Sequence, residues 1–386
     1  MSRIILFANT DWYLYNFRRS LALAVQAAGH EVLLVSPPGE YGSRFRELGL
    51  RWTPLPAMDR RSLNPWREVR ALAELVALFR RERPALVHNF TIKCAVYGSL
   101  AAMLAGVPAR INAVAGLGYV FASDDRRARA LRPLVRTLMR LALRGSRSRL
   151  ILQNPDDARM FERHGLIEDA RVRVIAGSGV DCARFVPRPA TSCNDPPCVL
   201  LAARLLWEKG VAEYVQAARS VRAQGRRVRF LLAGASDPGN PAAVPETVVR
   251  GWVEEGAIEW IGHVDDMPAL FASTDIFVLP SYYREGLPKS LIEAAACATP
   301  LITTDMPGCR DVVADGVDGL IVPPRNAEAL GAAIVRLLDA PEQARQLGVA
   351  ARAKALARFD ERIVIRRTLE TYREVLDESG TVPVIL

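Results

Sequence analysis

Residues 276–303 read IFVLPSYYREGLPKSLIEAAACATPLIT: an apolar strand (Ile276–Pro280), a polar loop, a helix opened by Pro288, and a second apolar strand (Leu301–Thr303). Such a succession makes a parallel βαβ unit, because a crossover helix brings the chain back to the same edge of the sheet. Pro288 suits the first helical position, where its fixed φ fits and its missing N–H would have had no partner. The free amides around Leu287, Lys289 and Ser290, the helix dipole and the Lys289 ammonium together attract an anion such as a diphosphate. Glu285 precedes the helix and Glu293 lies less than two turns into it, so the two carboxylates flank the anion position. Each could accept paired hydrogen bonds from vicinal sugar hydroxyls. A capped Ala-rich helix with two solvated glutamates accounts for the same letters, and from this stretch alone both readings stand.

The rhythm extends in both directions. Strands Arg3–Ala8, Glu31–Ser36, Ala85–Asn89, Arg110–Val114, Arg149–Gln153 and Val172–Ile175 alternate with helical patterns near 17–28, 65–81, 95–105, 127–144 and 155–164. A Pro/Asn/Ser-rich linker (Pro187–Pro197) follows, and the pattern restarts with Cys198–Ala202, Val228–Ala233, Ile258–Ile261, Ile276–Pro280, Leu301–Thr303 and Gly319–Val322. This predicts an α/β chain of two Rossmann-like domains, residues 1–190 and 191–365, followed by a C-terminal helix and tail, 366–386. Ligands of such folds sit at the carboxyl ends of the strands, here in a cleft between the two sheets.

With 386 residues, half of them apolar, the chain can fill two cores. The apolar run at the N-terminus is too short for a signal peptide and no stretch approaches a membrane span, which predicts a cytoplasmic protein. Six scattered cysteines without CxxC spacing predict reduced thiols and no metal. Much of the net charge of +9 comes from residues 126–149, which hold nine arginines and no acidic residue along an apolar stripe. Through Arg129, Arg132, Arg136 and Arg140 such a helix can meet an anionic membrane surface, or it can simply pack its stripe and solvate its arginines. Nucleic acid is disfavoured, because no aromatic residues interleave with the basic ones.

At the start of the second half, strand Cys198–Ala202 runs into Ala203-Arg204-Leu205 and Lys209-Gly210. Arg204 offers a bidentate grip on phosphate and Lys209 a point charge, though each can equally be a solvated surface cation. Gly234 ends the next strand and permits close backbone approach, or is a plain turn. His263, past the strand that ends Trp260-Ile261-Gly262, sits where backbone can pair with a base edge; the alternative is an ordinary loop residue. In sequence order Arg204, Lys209, Gly234, and Glu285-Gly286-Leu287-Pro288 through Glu293 resemble the donor site of GT-B glycosyltransferases of family 4. The resemblance spans essentially the whole chain. It implies a retaining, metal-independent hexosyltransferase that uses a nucleotide sugar, UDP-linked by expectation, with no cofactor. It implies further that Arg204 and Lys209 hold the diphosphate, Glu293 the ribose, and Glu285 the transferred sugar, with Gly286, Leu287, Pro288 and Lys289 lining the donor site.

In the N-terminal half, Asn9-Thr10-Asp11-Trp12, His88-Asn89-Phe90-Thr91-Ile92-Lys93 and Ala115-Gly116-Leu117-Gly118 resemble members that extend bacterial surface polysaccharides on polyprenyl-diphosphate carriers. Asp11, Trp12, His88, Lys93, Gly116 and Gly118 are accordingly acceptor-site candidates, with His88 open to a purely structural role. The first strand is not followed by the family's glycine-rich turn, and its histidine after Arg110–Val114 is missing. The chain contains no Asp-x-Asp. A two-domain nucleotide-sugar epimerase and a non-enzymatic membrane- or nucleic-acid-binding protein are the rival readings; a NAD enzyme is disfavoured, since no Gly-x-Gly-x-x-Gly follows the first strand.

Overall fold

The computed structural model describes residues 2–60, 62, 64–114, 126–188, 194–237 and 239–377. They fall into two compact units, Met1–Ser178 with Ile363–Leu386, and Gly179–Arg362. The chain thus enters its second unit before the Pro187–Pro197 segment.

Among the described residues the first unit holds a seven-stranded parallel sheet of β1 (Arg3–Phe7), β2 (Glu31–Ser36), β3 (Arg51–Pro54), β4 (Leu86–Phe90), β5 (Ala109–Val114), β6 (Ser148–Leu152) and β7 (Val172–Val174), in the order β3-β2-β1-β4-β5-β6-β7. Strand alternation divides the core: Ile4, Leu6, Leu86 and Phe90 enter one layer, and Ile5, Phe7 and Val87 the other. Val364, Tyr372, Val375 and Leu376 of the C-terminal helix Glu361–Asp377 join the first of these layers.

Two local features differ from the sequence expectation. Helix begins at Asp11, not Phe17, because Thr10 Oγ1 accepts the Tyr13 N–H at 3.1 Å and caps a short turn that continues through a π-helical segment, Leu14–Arg18, into Arg19–Ala27. Strand β3 was not expected, since Arg-Trp-Thr-Pro lacks an apolar run; as an edge strand it needs to pair only with β2, and Trp52 Nε1 donates to Ser36 Oγ at 3.0 Å.

The second unit has a six-stranded parallel sheet among its described residues: β8 (Cys198–Ala202), β9 (Arg229–Ala233), β10 (Glu259–Gly262), β11 (Ile276–Leu279), β12 (Leu301–Thr304) and β13 (Leu320–Val322), ordered β10-β9-β8-β11-β12-β13. Order reverses between β8 and β11, whose carboxyl ends carry the two loops richest in candidate residues. Cys94, Cys182, Cys198, Cys297 and Cys309 are buried free thiols, and burial pushes Cys297 up to about 12; Cys193 lies outside the described residues.

Candidate functional site

The loop after β8 ends in a single 3₁₀ turn, Trp207–Lys209, and then Gly210 at φ +76° starts helix Val211–Ala223. A Cβ on Gly210 would stand 2.2 Å from the Pro280 carbonyl oxygen, so only glycine lets this turn press against the end of β11. That contact brings Lys209 to Glu285. The ammonium and Glu285 Oε1 form an ion pair with side chains only 14% and 13% exposed. Ser281 Oγ stands 2.9 Å from the same carboxylate oxygen and 3.1 Å from Glu208 O, sharing its proton between them. The Tyr282 N–H donates to Glu208 O at 3.0 Å, and the Glu285 N–H to Pro307 O at 3.2 Å. Burial raises the Glu208 carboxyl pKa above its ordinary value, with the Glu285 charge adding to the rise. Two charges removed from water are held only where further hydrogen bonds complete them, and Ser281 does this for Glu285. Ser281 and Glu208 were not foreseen; the serine four positions ahead of Glu285, just past a strand end, was the available signal.

The helix that follows runs Lys289–Ala296, one residue later than expected. Pro288 is its N-cap, with ψ 116°, rather than its first residue, because the incoming loop keeps that ψ extended. Gly286 and Leu287 lead into it. The Lys289 ammonium donates to Gly179 O and lies 3.8 Å from Glu293 Oε1. Glu293 is nearly buried. Burial raises its pKa, opposed by the charges of Lys289 and Arg184.

Arg204 is 59% exposed and pairs with Asp237 at 3.0 Å, a surface contact worth at most ~1 kcal/mol and easily exchanged for a phosphate. Gly234, at φ +142°, lets β9 pass the preceding loop, since a Cβ there would meet Ala203 O at 1.9 Å. Its N–H donates to Gly262 O at 2.7 Å and its carbonyl accepts from Trp260 Nε1 at 2.9 Å, so it shapes the loop rather than offering its own polar groups. His263 lies past edge strand β10, exposed, 3.4 Å from Asp265. A third loop leans on this region. Arg325 adopts φ +59°, which costs a non-glycine residue roughly 1–2 kcal/mol, and its guanidinium stands 4.4 Å from the Tyr282 ring centroid, a contact worth about 0.5–1 kcal/mol at an exposed site.

In the first unit most acceptor candidates are engaged structurally. His88 is buried, with Nδ1 2.6 Å from Tyr372 Oη and its ring against Phe90; burial, then the Arg18 charge, holds its pKa well below 6.5. Lys93 Nζ donates to Asp59 O (2.7 Å), Ser62 O (3.1 Å) and Glu68 Oε1 (2.8 Å). Asp11 accepts from Trp12 N at 2.8 Å and Tyr41 N at 2.7 Å, pinning the loop after β2. Trp12 keeps an open face at 42% exposure. Gly116 and Gly118 lie outside the described residues. In the basic helix, Arg126–Ala142, Arg136 and Arg140 donate to the His164 and Gly165 carbonyls that end helix Pro155–Arg163, while Arg129 is exposed. No described helix is long and apolar enough to cross a membrane.

Comparison with known families matches residues 196–340 to the glycosyl transferases group 1 and residues 16–177 to the glycosyl transferase 4-like domain. The chain is a glycosyltransferase. That sets aside the epimerase and the non-enzymatic rival. The glycosyltransferase is 29% identical over 374 residues to N,N'-diacetylbacillosaminyl-diphospho-undecaprenol alpha-1,3-N-acetylgalactosaminyltransferase of Campylobacter jejuni, covering 94% of this chain and 96% of the relative. Its fold resembles sucrose-phosphate synthase of Thermosynechococcus elongatus (TM-score 0.79, 22% identity, 98% of this chain and 100% of the other) and Anabaena HepE in complex with UDP-glucose (0.75, 17%, 97% and 100%). Both units of the glycosyltransferase therefore have the Rossmann-like organisation of the GT-B class, as the sequence predicts.

Proposed function

We propose that this glycosyltransferase moves a hexose or N-acetylhexosamine from a UDP-sugar to a polyprenyl-diphosphate-linked saccharide, with retention and without a metal ion, in the synthesis of a bacterial surface polysaccharide. The observation that carries the donor assignment is the buried Lys209–Glu285 pair, formed by loops from neighbouring strands β8 and β11 beside the helix that bears Glu293. In the reaction the bond between the anomeric carbon and the diphosphate oxygen breaks as the acceptor hydroxyl adds on the same face, and the hydroxyl proton passes to the departing phosphate. Lys209 and Arg204 stabilise the negative charge that develops there, and the helix amides behind Pro288 add to it. Glu285 faces the transferred sugar and Glu293 accepts from the ribose hydroxyls. Cations at the strand ends and the lack of any Asp-x-Asp support charge neutralisation by side chains. The acceptor class and the UDP moiety are supported by the named activity of the Campylobacter relative and by the ligand of HepE.

Calorimetric titration of UDP-sugars tests the donor assignment: binding is expected, and no heat with any of them would sink it. Because burial raises the Glu293 pKa, the ribose-accepting carboxylate becomes protonated at a higher pH than an ordinary glutamate. Affinity is therefore expected to fall in acid starting above that group's usual range, whereas Glu293→Gln should bind more weakly with a flatter profile.

The basic helix is proposed to rest on an anionic membrane through Arg129 and Arg132, with the exposed Leu134 beside them. Arg136 and Arg140, on the same helix, also donate to the His164 and Gly165 carbonyls. The expected result in vesicle sedimentation is binding to phosphatidylglycerol but not to phosphatidylcholine, lost in Arg129→Glu/Arg132→Glu; equal sedimentation of that variant would refute the contact.

A further inference from the structure

Arg325 lies in the turn Pro323-Pro324-Arg325-Asn326 between β13 and helix Ala327–Asp339, in the left-handed region that its Cβ disfavours. The turn itself does not require an arginine. Asn326 caps the next helix through its side chain, accepting the Ala329 N–H at 2.8 Å, and a glycine before it would take the same φ without strain. What arginine adds is a guanidinium over Tyr282.

Tyr282 occupies the junction of the two loops that form the donor site. Its N–H is bonded to Glu208, beside Lys209, and its neighbour Ser281 reaches the Glu285 carboxylate. A residue that fixes the Tyr282 ring therefore fixes the spacing of both charged loops. The cation–π contact at best offsets the backbone strain, so stability alone does not account for an arginine here, and strained backbone held by surrounding structure is concentrated at functional positions.

We propose that Arg325 is a positioning residue for sugar transfer: clamped on the Tyr282 face, it holds the Ser281–Glu285 turn so that Lys209 and Glu285 meet the nucleoside diphosphate sugar in one geometry. The inference rests on the donor-site reading given above. It concerns preorganisation, which shows in the rate and in donor KM rather than in folding.

Arg325→Gly, Arg325→Lys and Tyr282→Leu are compared with the wild-type full chain by thermal melting and by transfer kinetics with a UDP-sugar. Arg325→Gly is expected to melt at or above the wild-type temperature, because the turn relaxes, while kcat/KM for the donor falls about tenfold with KM raised. Tyr282→Leu should show the same kinetic loss, and Arg325→Lys, which keeps a cation over the ring, should recover most of it. Wild-type kinetics in Arg325→Gly would overturn the proposal, as would a loss of activity matched by a fall in melting temperature. Lys209→Ala and titration of the wild type separate the two levels. If the wild type binds UDP-sugar and Lys209→Ala impairs transfer while Arg325→Gly is normal, the positioning role alone is wrong; if the wild type binds no nucleotide sugar, the donor reading falls and this inference with it.

Discussion

Lys209→Ala is expected to lower turnover by about 10²–10³-fold, equivalent to ~2.7–4 kcal/mol of transition-state stabilisation, the range found when one preorganised group at a developing negative charge is removed. The reason lies in where the ammonium sits. It is held in a mostly buried pair with Glu285, so in the proposed role it would meet the leaving diphosphate with little water to dilute its field. The substitution also leaves the Glu285 carboxylate buried without its ammonium, although Ser281 Oγ still donates to it, and some stability should be lost. A Lys209→Ala/Glu285→Gln variant separates the two effects, since it is expected to regain melting temperature without regaining turnover. Steady-state transfer kinetics well below the melting temperature provide the measurement, and near-normal transfer by folded Lys209→Ala would remove the proposed diphosphate contact.

Glu374→Ala should cost about 2–4 kcal/mol and lower the melting temperature by roughly 5–10 °C. Glu374 on the C-terminal helix receives Arg149 at 2.9 Å, and Arg173 pairs with the same carboxylate from β7. Arg149 is only 6% exposed, so truncating the glutamate leaves a buried guanidinium without its carboxylate. The pair also carries a pH signature. Burial works against ionisation of Glu374, but hydrogen bonds from Arg149 and Arg173 outweigh it and hold the pKa below the ordinary glutamate value. A depressed folded-state pKa gives stability that is present above the unfolded value, about 4.3, and is lost as pH falls through the folded one. The difference in melting temperature between wild type and Glu374→Gln should therefore narrow on acidification below pH ~4. A constant difference across that range, or no effect of Glu374→Ala, would refute the role assigned to this ion pair.

How much of the site was legible depended on how local each determinant is. The placement of Arg204, Lys209 and Glu285 was legible because strand-to-loop-to-helix order puts their loops at the carboxyl ends of β8 and β11, adjacent in the sheet, with Glu293 on the helix that follows. The spacing from Glu285 to Glu293 is fixed by a single loop and helix, and a shift of the helix start from Pro288 to Lys289 does not disturb it. What was not legible is which partner a long side chain takes. Lys289 could reach an anion at its own helix start or the Gly179 carbonyl, and nothing local distinguishes the two. Arg136 and Arg140 read as a charged outer face until the end of helix Pro155–Arg163 supplies carbonyls for them. Lys93, next to a strand end, is absorbed by Asp59, Ser62 and Glu68 from a separate stretch of chain.

The sequence by itself determined that this protein is two parallel α/β units and that its second half presents two cations and one carboxylate in loops past strand ends, with a second carboxylate on the helix that follows, because apolar periodicity and short loops are local properties. Tertiary structure alone decided which charges pair. His88 is buried beneath Tyr372, 284 residues further along, and Lys209 meets Glu285 because Gly210 lets one loop press on the end of another strand. Ion pairs and buried hydrogen bonds act over a few ångströms between groups that packing brings together, and no spacing along the chain encodes that proximity.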